Sequence, residues 1–248
     1  MTNIIEKIKE DGAYAVFDCD ETIINGDVGR ITVKYQLEYD EYILTPEEIK
    51  QKLLLMYPDL EEGILNLDMK TNFIALSDKI YSKYEKDISL LLIEGMTSDE
   101  VYNLTKKSIK AYPNDLTKRI EMENLFNLLR ENNIEIYICS ASQKDMVNVA
   151  ADIYGIPREN VRAVNLKMDN NNKYIYEETG IVTRGVGKIE SIKSLGKKEH
   201  PVLIAGDSDG DYAMLNYFKI KHGMIINPKE NTKVKYLVDN VTYFEYRI

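Results

Sequence analysis

Four short clusters of the chain carry carboxylates, a hydroxyl and a lysine that could act together. In chain order they are Asp18-Cys19-Asp20-Glu21-Thr22, Ser140, Lys188 after two glycines, and GDSDGD at 206–211, with Asp207 and Asp211. Each cluster alone has an ordinary explanation, because aspartate or serine after a strand often caps a helix or forms a turn. If they met, four acids would repel one another without a cation. A hard divalent ion such as Mg²⁺ removes that repulsion, and the hydroxyl and lysine then become phosphate ligands.

Short apolar runs predict the strands that would bring the clusters together. The runs are AYAVF (13–17), IEIYIC (134–139), PVLIAG (201–206), GMIIN (223–227) and VTYFEY (241–246). Helices are predicted between them at 117–131, 146–153, 188–195 and 209–219. This alternation indicates an α/β fold, a parallel sheet covered by helices on both faces. Ligands of such sheets bind outside the carboxyl ends of the strands, where the polar clusters lie.

The segment between the first two core strands has a different character. It contains helix-like stretches around 29–42, 46–57, 66–86 and 97–111 and no convincing buried strand. We therefore predict an all-helical domain at residues 25–115, which we call the insert, within a core of residues 1–24 and 116–248. Residues 161–183 predict a β-hairpin with a polar DNNN turn.

The four clusters, in this order, resemble the motifs of the haloacid dehalogenase superfamily. DCDET resembles the DxDxT signature, Ser140 in ICSAS the second motif, Lys188 the third, and GDSDGD the acidic fourth. The resemblance implies a Rossmann-like parallel sheet and a Mg²⁺-dependent phosphoric monoester hydrolase. An insert between the first and second motifs resembles the helical C1 cap of the phosphoserine phosphatase-like branch, which also includes phosphocholine phosphatases.

The resemblance also implies a reaction. Asp18 would attack phosphorus and form an aspartyl-phosphate, a known use of carboxylates in covalent catalysis. Asp20 would protonate the leaving alcohol and then deprotonate the hydrolytic water. Ser140 and Lys188 would bind the remaining phosphoryl oxygens. An acid at position 20 favours phosphoryl transfer over dehalogenation, since a halide leaving group needs no proton.

A metal site follows from the same resemblance. The implied Mg²⁺ ligands are Asp18, Asp207 and the backbone carbonyl of Asp20, and the residues implied to support them are Thr22 and Asp211. The family's fourth motif often has Asn immediately before its last Asp, where this chain has Gly210. Any phosphate contact of that Asn would be missing here or supplied by Asp209.

The insert suggests a substrate class. Asp27, nine residues after Asp18, resembles the branch's acidic position for a substrate amino group, although an N-cap role alone would also explain it. This predicts a small substrate such as phosphoserine, phosphoethanolamine or phosphocholine. Tyrosines can cage a quaternary ammonium but at these spacings are more often packing residues; those in question are Tyr35, Tyr39, Tyr42 and Tyr57.

Composition limits the partners. The net charge of −9, from 32 Lys and Arg against 41 Asp and Glu, argues against a nucleic acid. No apolar stretch approaches the ~20 residues that span a bilayer, so we expect a cytoplasmic protein without a membrane partner that acts on a small phosphorylated metabolite. Two cysteines do not make a disulfide framework. A phosphomutase, or a binding protein with a silent core, remains an alternative to a phosphatase.

Overall fold

In a computed structural model, which describes residues 2–8, 12–197 and 200–248, the elements alternate as the sequence predicts. The strands are β1 Tyr14–Phe17, β2 Ile24–Asn25, β3 Thr117–Lys118, β4 Glu135–Gln143, β5 Val161–Met168, β6 Tyr174–Thr179, β7 Leu203–Gly206, β8 His222–Ile226 and β9 Tyr243–Tyr246. The helices are α1 Thr2–Ile8, α2 Val28–Tyr39, α3 Pro46–Met56, α4 Glu61–Leu65, α5 Phe73–Tyr84, α6 Ser98–Ala111, α7 Ile120–Glu131, α8 Lys144–Ile153, α9 Val186–Lys193 and α10 Tyr212–Tyr217. Short 3₁₀ segments lie at Pro58–Leu60, Ile88–Ile93, Arg158–Asn160 and Lys235–Leu237.

A seven-stranded sheet in the order β6-β5-β4-β1-β7-β8-β9 forms the core. Its neighbouring strands are parallel except for the antiparallel pair β5 and β6. Phe17 at the end of β1 pairs with Ile138 on one side and Ala205 on the other. The carboxyl ends of β1, β4 and β7 therefore meet at one edge, and the predicted α/β fold is confirmed.

Helices cover both faces of the sheet, because side chains of a strand alternate between its faces. Phe17 of β1 packs against Phe126 of α7, with ring centroids 4.9 Å apart. Val16 lies on the opposite face, in a cluster with Ile189 of α9 and Met214 of α10. Phe17 and Phe126 are fully buried, and each such burial contributes about 1.5–3 kcal/mol to stability.

The insert contains α2 to α6, between β2 and β3. These two short strands pair antiparallel where the chain leaves the core and returns to it. Gly26 lies at this crossing with φ +105°, and a Cβ there would come within 2.1 Å of the carbonyl oxygen of Asp115, so only glycine fits. The helices of the insert bury an apolar cluster that includes Val33, Leu53, Phe73, Ile80 and Leu91.

Several predicted boundaries differ from the structure, and two of the differences bear on the site and the insert. The helix predicted at 66–86 is broken, because the Asp68 carboxylate accepts hydrogen bonds from the backbone of Lys70 and Thr71 and holds a turn before α5. The strand predicted to end at residue 139 continues to Gln143, since a register shift opposite β5 keeps its backbone extended. Ser140 consequently lies inside β4, whereas the sequence predicted it just after the strand.

The predicted hairpin forms as β5 and β6, and β6 contacts the insert. Three contacts, one from the backbone and two from side chains, join β6 to the insert. They are the backbone bond from Tyr174 to Met96 (2.8 Å), the hydroxyl of Tyr176 donating to the carbonyl of Asp87 (3.2 Å), and the ion pair of Glu178 with Lys86 (3.1 Å). The hairpin therefore holds the insert against the core.

Two further observations concern the cysteines and the search for membrane-spanning helices. Cys19 and Cys139 are both buried with free thiols, as predicted. Within the described ranges, we find no helix with the length and apolar character needed to cross a bilayer.

Candidate active site

Asp18 occupies the carboxyl end of the central strand. Its backbone stays extended (φ −66°, ψ 163°), and its N–H donates to the carbonyl of Ala205 at 3.0 Å, which continues the pairing of β1 with β7. The alternation of side chains places the Asp18 carboxylate on the same face as Val16, which α9 covers. Asp18 is only 6% exposed.

Lys188, from α9, joins two of the predicted site residues. Its Nζ lies 2.6 Å from Oδ1 of Asp18 and 2.6 Å from Oδ1 of Asp211, and all three side chains are buried. Burial alone would lower the pKa of Lys188, but the charges of Asp18 and Asp211 raise it well above its usual value. The lysine is therefore a fixed positive charge beside Asp18.

The acidic loop after β7 is shaped around Asp211. Its Oδ2 accepts the backbone N–H groups of Asp207 (3.1 Å) and Ser208 (3.2 Å). The Asp211 side chain lies so close to the backbone of residue 206 that only glycine fits there, because a Cβ at that position would lie 2.5 Å from the Cβ of Asp211. The glycine and the last aspartate of the motif thus depend on each other sterically.

Asp209 does not take the place suggested for it. Its carboxylate accepts the backbone N–H of Lys233 at 2.6 Å and holds the loop before Val234, away from Asp18. This contact of Asp209 favours the other alternative, that the phosphate contact of the family's Asn is missing here. Ser208 and Gly210 are the motif residues that line the cleft beside Asp207 and Asp211.

The carboxylate of Asp20 points away from Lys188, toward the insert. It accepts the backbone N–H of Val28 (2.8 Å) at the start of α2 and the hydroxyl of Ser142 (2.6 Å). Burial first, and then the charges of Asp27 and Asp18, raise its pKa well above the usual range. Asp20 is thereby suited to hold a proton at neutral pH, and the first helix of the insert orients it.

An irregular turn follows Asp18 and contains Asp20. Glu21, in the turn Cys19–Ile23, adopts the left-handed region with φ 56°, and its N–H donates to the carbonyl of Gly26 at 3.0 Å. A side chain in this region is unfavourable by about 1–2 kcal/mol. The turn redirects the chain between Asp18 and the insert.

Three carboxylates form a group that could hold a metal ion. Oxygens of Asp18, Asp207 and Asp211 lie within 4.8 Å of one another. Burial first, and then neighbouring carboxylates, raise the pKa of Asp18 to about 7 and that of Asp207 to about 8. A bound cation would offset the repulsion between these buried carboxylates. A donor set made only of oxygens suits a hard divalent ion. Both oxygens of Asp211 are already engaged, Oδ1 by Lys188 and Oδ2 by the backbone N–H groups of Asp207 and Ser208, so Asp18 and Asp207 fit the metal best.

Two other predicted residues lie beneath this group. The Thr22 hydroxyl is 3.5 Å from Oδ1 of Asp207 and completely buried. Ser140 is also buried, with its hydroxyl 3.4 Å from Oδ2 of Asp20 and accepting the N–H of Ser142. Ser142, two residues on, reaches the cleft. The S-x-S pattern of Ser140 and Ser142 at the end of β4 was the available sequence signal for Ser142.

The cleft itself has a volume of about 450 Å³ and lies between the strand ends and the insert. Asp18, Lys188 and Asp207 line its core side. Tyr81, Asp27 and Asp87 line its insert side. We found no motif that would have predicted Tyr81 or Asp87, because the fold of the insert brings them there.

The four tyrosines that were considered as a cage for a quaternary ammonium do not line the cleft. Tyr35 and Tyr39 contact each other, with ring centroids 4.6 Å apart, and Tyr57 packs on Tyr84 at 4.9 Å. The Tyr42 hydroxyl donates to Asp40 at 3.2 Å. Their contacts agree with packing roles, the alternative that the sequence favoured.

Comparisons with known proteins agree with this geometry. A model of the family described as haloacid dehalogenase-like hydrolase matches residues 15–216. The chain belongs to this family. The match covers β1, the insert, β4 and the acidic loop after β7, and so includes every cluster from which the haloacid dehalogenase resemblance was drawn.

Proteins similar to this member of the family include phosphoserine phosphatases. The chloroplastic phosphoserine phosphatase of Arabidopsis thaliana is 36% identical over 90 residues, a match spanning 36% of this chain and 30% of the plant enzyme. A substrate-bound phosphoserine phosphatase structure shares the fold, with TM-score 0.53, 18% identity and 91% of each chain covered. A functionally unknown protein from Anaerococcus prevotii gives TM-score 0.77 at 20% identity, covering 98% of this chain and 90% of that one. The chain is thus similar to phosphoserine phosphatases over part of its sequence and in its fold, in agreement with the predicted phosphoserine phosphatase-like branch.

Proposed function

We propose that this chain is a phosphatase that hydrolyses a small phosphomonoester through a phosphorylated Asp18. One observation carries the proposal: two carboxylates two residues apart serve opposite sides of one cleft. Asp18 bonds to Lys188 on the core side, and Asp20 bonds to Ser142 and the start of α2 on the insert side. A nucleophile and a proton donor on opposite sides of phosphorus are what in-line displacement requires.

The nucleophile is oriented by Lys188. Its ammonium holds one oxygen of the Asp18 carboxylate at 2.6 Å, which leaves the other oxygen for attack. The same positive charge lies where phosphoryl oxygens would approach and would stabilise charge that develops there. In the attack, the bond from Asp18 to phosphorus forms as the ester bond breaks.

Asp20 moves protons in both half-reactions. Its raised pKa favours the protonated form, which would give its proton to the leaving alkoxide. The resulting carboxylate would then take a proton from the water that hydrolyses the phosphorylated Asp18. The hydroxyl of Ser142 and the N–H of Val28 hold this carboxyl in position.

We infer that Mg²⁺ is the cofactor, held by Asp18 and Asp207, with the backbone carbonyl of Asp20 as a further ligand. The chemistry that Mg²⁺ supplies when bound is charge neutralisation at the phosphate oxygens. The Asp211 carboxylate positions the backbone of Asp207 through its N–H at 3.1 Å. Thr22 supports Asp207 from below.

Chelation is expected to lower activity by about a hundredfold, because charge neutralisation by a metal contributes several kcal/mol. Mg²⁺ should restore the activity and Ca²⁺ should not, since Ca²⁺ takes more ligands at longer distances. Asp207→Ala should weaken Mg²⁺ binding, as measured by titration calorimetry. Full activity of the EDTA-treated protein would contradict the metal assignment.

We further propose that residues 25–115 form a cap domain over a catalytic core of residues 1–24 and 116–248. The β2–β3 ribbon at the base of the insert and the position of the cleft between the two parts support this division. A cap that closes over the cleft excludes water and favours small substrates.

The substrate class we propose is a phosphomonoester with a cationic nitrogen. Asp27 lines the insert side of the cleft, and its Oδ1 accepts the N–H of Arg30 at 2.8 Å. Asp27→Asn keeps this N-cap acceptor but removes the charge. A carboxylate–ammonium hydrogen bond contributes about 1.5–3 kcal/mol, so we expect kcat/KM for phosphoethanolamine to fall at least about tenfold relative to that for glycerol phosphate. The charge of Asp27 also raises the pKa of Asp20, but the loss of this effect acts on both substrates alike. An unchanged ratio of the two would count against Asp27.

A phosphate-release screen over about a hundred phosphorylated metabolites tests the proposed function. A phosphatase releases inorganic phosphate without an acceptor other than water. A phosphomutase would instead move the group to a second substrate hydroxyl and release little phosphate, and a silent binding protein would release none. Either of these outcomes would overturn the proposal.

A further inference from the structure

A second, smaller cavity adjoins the cleft on the insert side. Its volume is about 230 Å³, and it shares Asp27, Tyr81, Asp87 and Ser142 with the cleft. Ser142 donates to the carboxylate of Asp20, the proposed proton donor. The smaller cavity therefore lies where the group beyond the ester oxygen would extend.

The charges that line the two cavities do not balance. Among the described lining residues, the bases are Arg30, Arg184 and Lys188, and each is already paired. Their partners are Asp78 at 2.8 Å for Arg30, Glu178 for Arg184, and the Asp18–Asp211 pair for Lys188. On the insert side, Asp27 and Asp87 form no ion pair with a described residue, although the nearby charge of Arg30 lowers the pKa of Asp27.

Each of these two aspartates uses one carboxylate oxygen to hold the backbone. Oδ1 of Asp27 accepts the N–H of Arg30, and Oδ1 of Asp87 accepts the N–H (3.0 Å) and hydroxyl (2.6 Å) of Ser89. The Asp27 carboxylate also receives a backbone hydrogen bond from Gly29. A carboxylate has about four acceptor positions, so both aspartates keep positions that a ligand can use.

We propose that Asp87 is a specificity-determining residue that, with Asp27, binds a primary ammonium on the leaving group and excludes a carboxylate there. The inference rests on the proposed phosphatase function and narrows its substrate class to a phosphorylated amino alcohol such as phosphoethanolamine. Phosphoserine is then a poor substrate, although its nitrogen could bind.

The chemistry of the three cationic substrates separates them. A primary ammonium has three N–H donors and can bond to two carboxylates at once. The carboxylate of phosphoserine would lie near Asp87 with no unpaired base to receive it, and like charges repel. A quaternary ammonium has no N–H donor and would rely on the face of Tyr81, which is 44% exposed.

The experiment compares kcat/KM for phosphoethanolamine, L-phosphoserine, phosphocholine and glycerol phosphate in four proteins. These are the wild type, Asp87→Asn, Asp87→Arg and Ser89→Ala. Asp87→Asn keeps an acceptor for Ser89 and removes the charge, and Asp87→Arg reverses the charge. Ser89→Ala is the matched control, because it removes a bond to Asp87 and keeps the carboxylate.

We expect the wild type to prefer phosphoethanolamine to phosphoserine by about tenfold or more, the factor of one charge-assisted hydrogen bond. Asp87→Asn should reduce this preference, Asp87→Arg should shift it toward phosphoserine, and Ser89→Ala should leave it unchanged. Equal use of both substrates by the wild type, or an unchanged ranking in both Asp87 variants, would overturn the inference. In that case continued hydrolysis of glycerol phosphate leaves the phosphatase standing, whereas no hydrolysis of any phosphomonoester refutes the phosphatase itself.

Discussion

Asp18→Asn is expected to lower turnover by more than about 10⁴-fold, because loss of a covalent nucleophile leaves only binding and electrostatic effects. The amide cannot attack phosphorus, yet it has the size of the carboxylate and can still accept a hydrogen bond from Lys188. Lys188 also keeps its ion pair with Asp211. The variant should therefore fold with a melting temperature near that of the wild type.

Phosphate release under saturating substrate measures this effect. Asp209→Asn is the matched control. Asp209 is an aspartate of the acidic fourth motif, but its carboxylate bonds to the backbone of Lys233, and Asn keeps an acceptor there. The control should retain wild-type turnover. Activity of Asp18→Asn within tenfold of the wild type would show that the nucleophile has been wrongly assigned.

Asp20→Asn is expected to lower turnover of an alkyl phosphate by about a thousandfold, within the range found for general acid–base catalysis. Both half-reactions lose their proton carrier. With p-nitrophenyl phosphate the first half-reaction should be much less affected, because nitrophenolate leaves without needing a proton. The second half-reaction still needs a base, so phosphorylated Asp18 should accumulate.

Rapid-quench kinetics separates the two steps. In Asp20→Asn we expect a burst of nitrophenol, about one equivalent per site, followed by slow turnover, the sign of an accumulating covalent intermediate. The alkyl phosphate serves as the internal control and should show no burst. An equal loss for both substrates, without a burst, would mean that Asp20 acts in some way other than proton transfer.

The sequence by itself determined the core of this protein. Apolar runs that end in polar clusters, such as AYAVF before Asp18 and PVLIAG before Asp207, were enough to predict a parallel sheet with its chemistry at one edge. The reason is that parallel strands place their carboxyl ends together, so Asp18 and Asp207 had to become neighbours once β1 paired with β7. The order of the motifs was enough to predict the family, which the match over residues 15–216 confirms.

Only the tertiary structure decided which way each side chain faces. Asp18 and Asp20 are separated by one residue, yet one bonds to Lys188 and the other faces the insert, because Ser142 and the N–H of Val28 at the start of α2 hold the Asp20 carboxylate there. The insert also brings Asp87 into the cleft, 69 residues along the chain from Asp18. Sequence periodicity reports local burial, whereas these positions depend on how separate elements pack, and such long-range contacts leave no local signal.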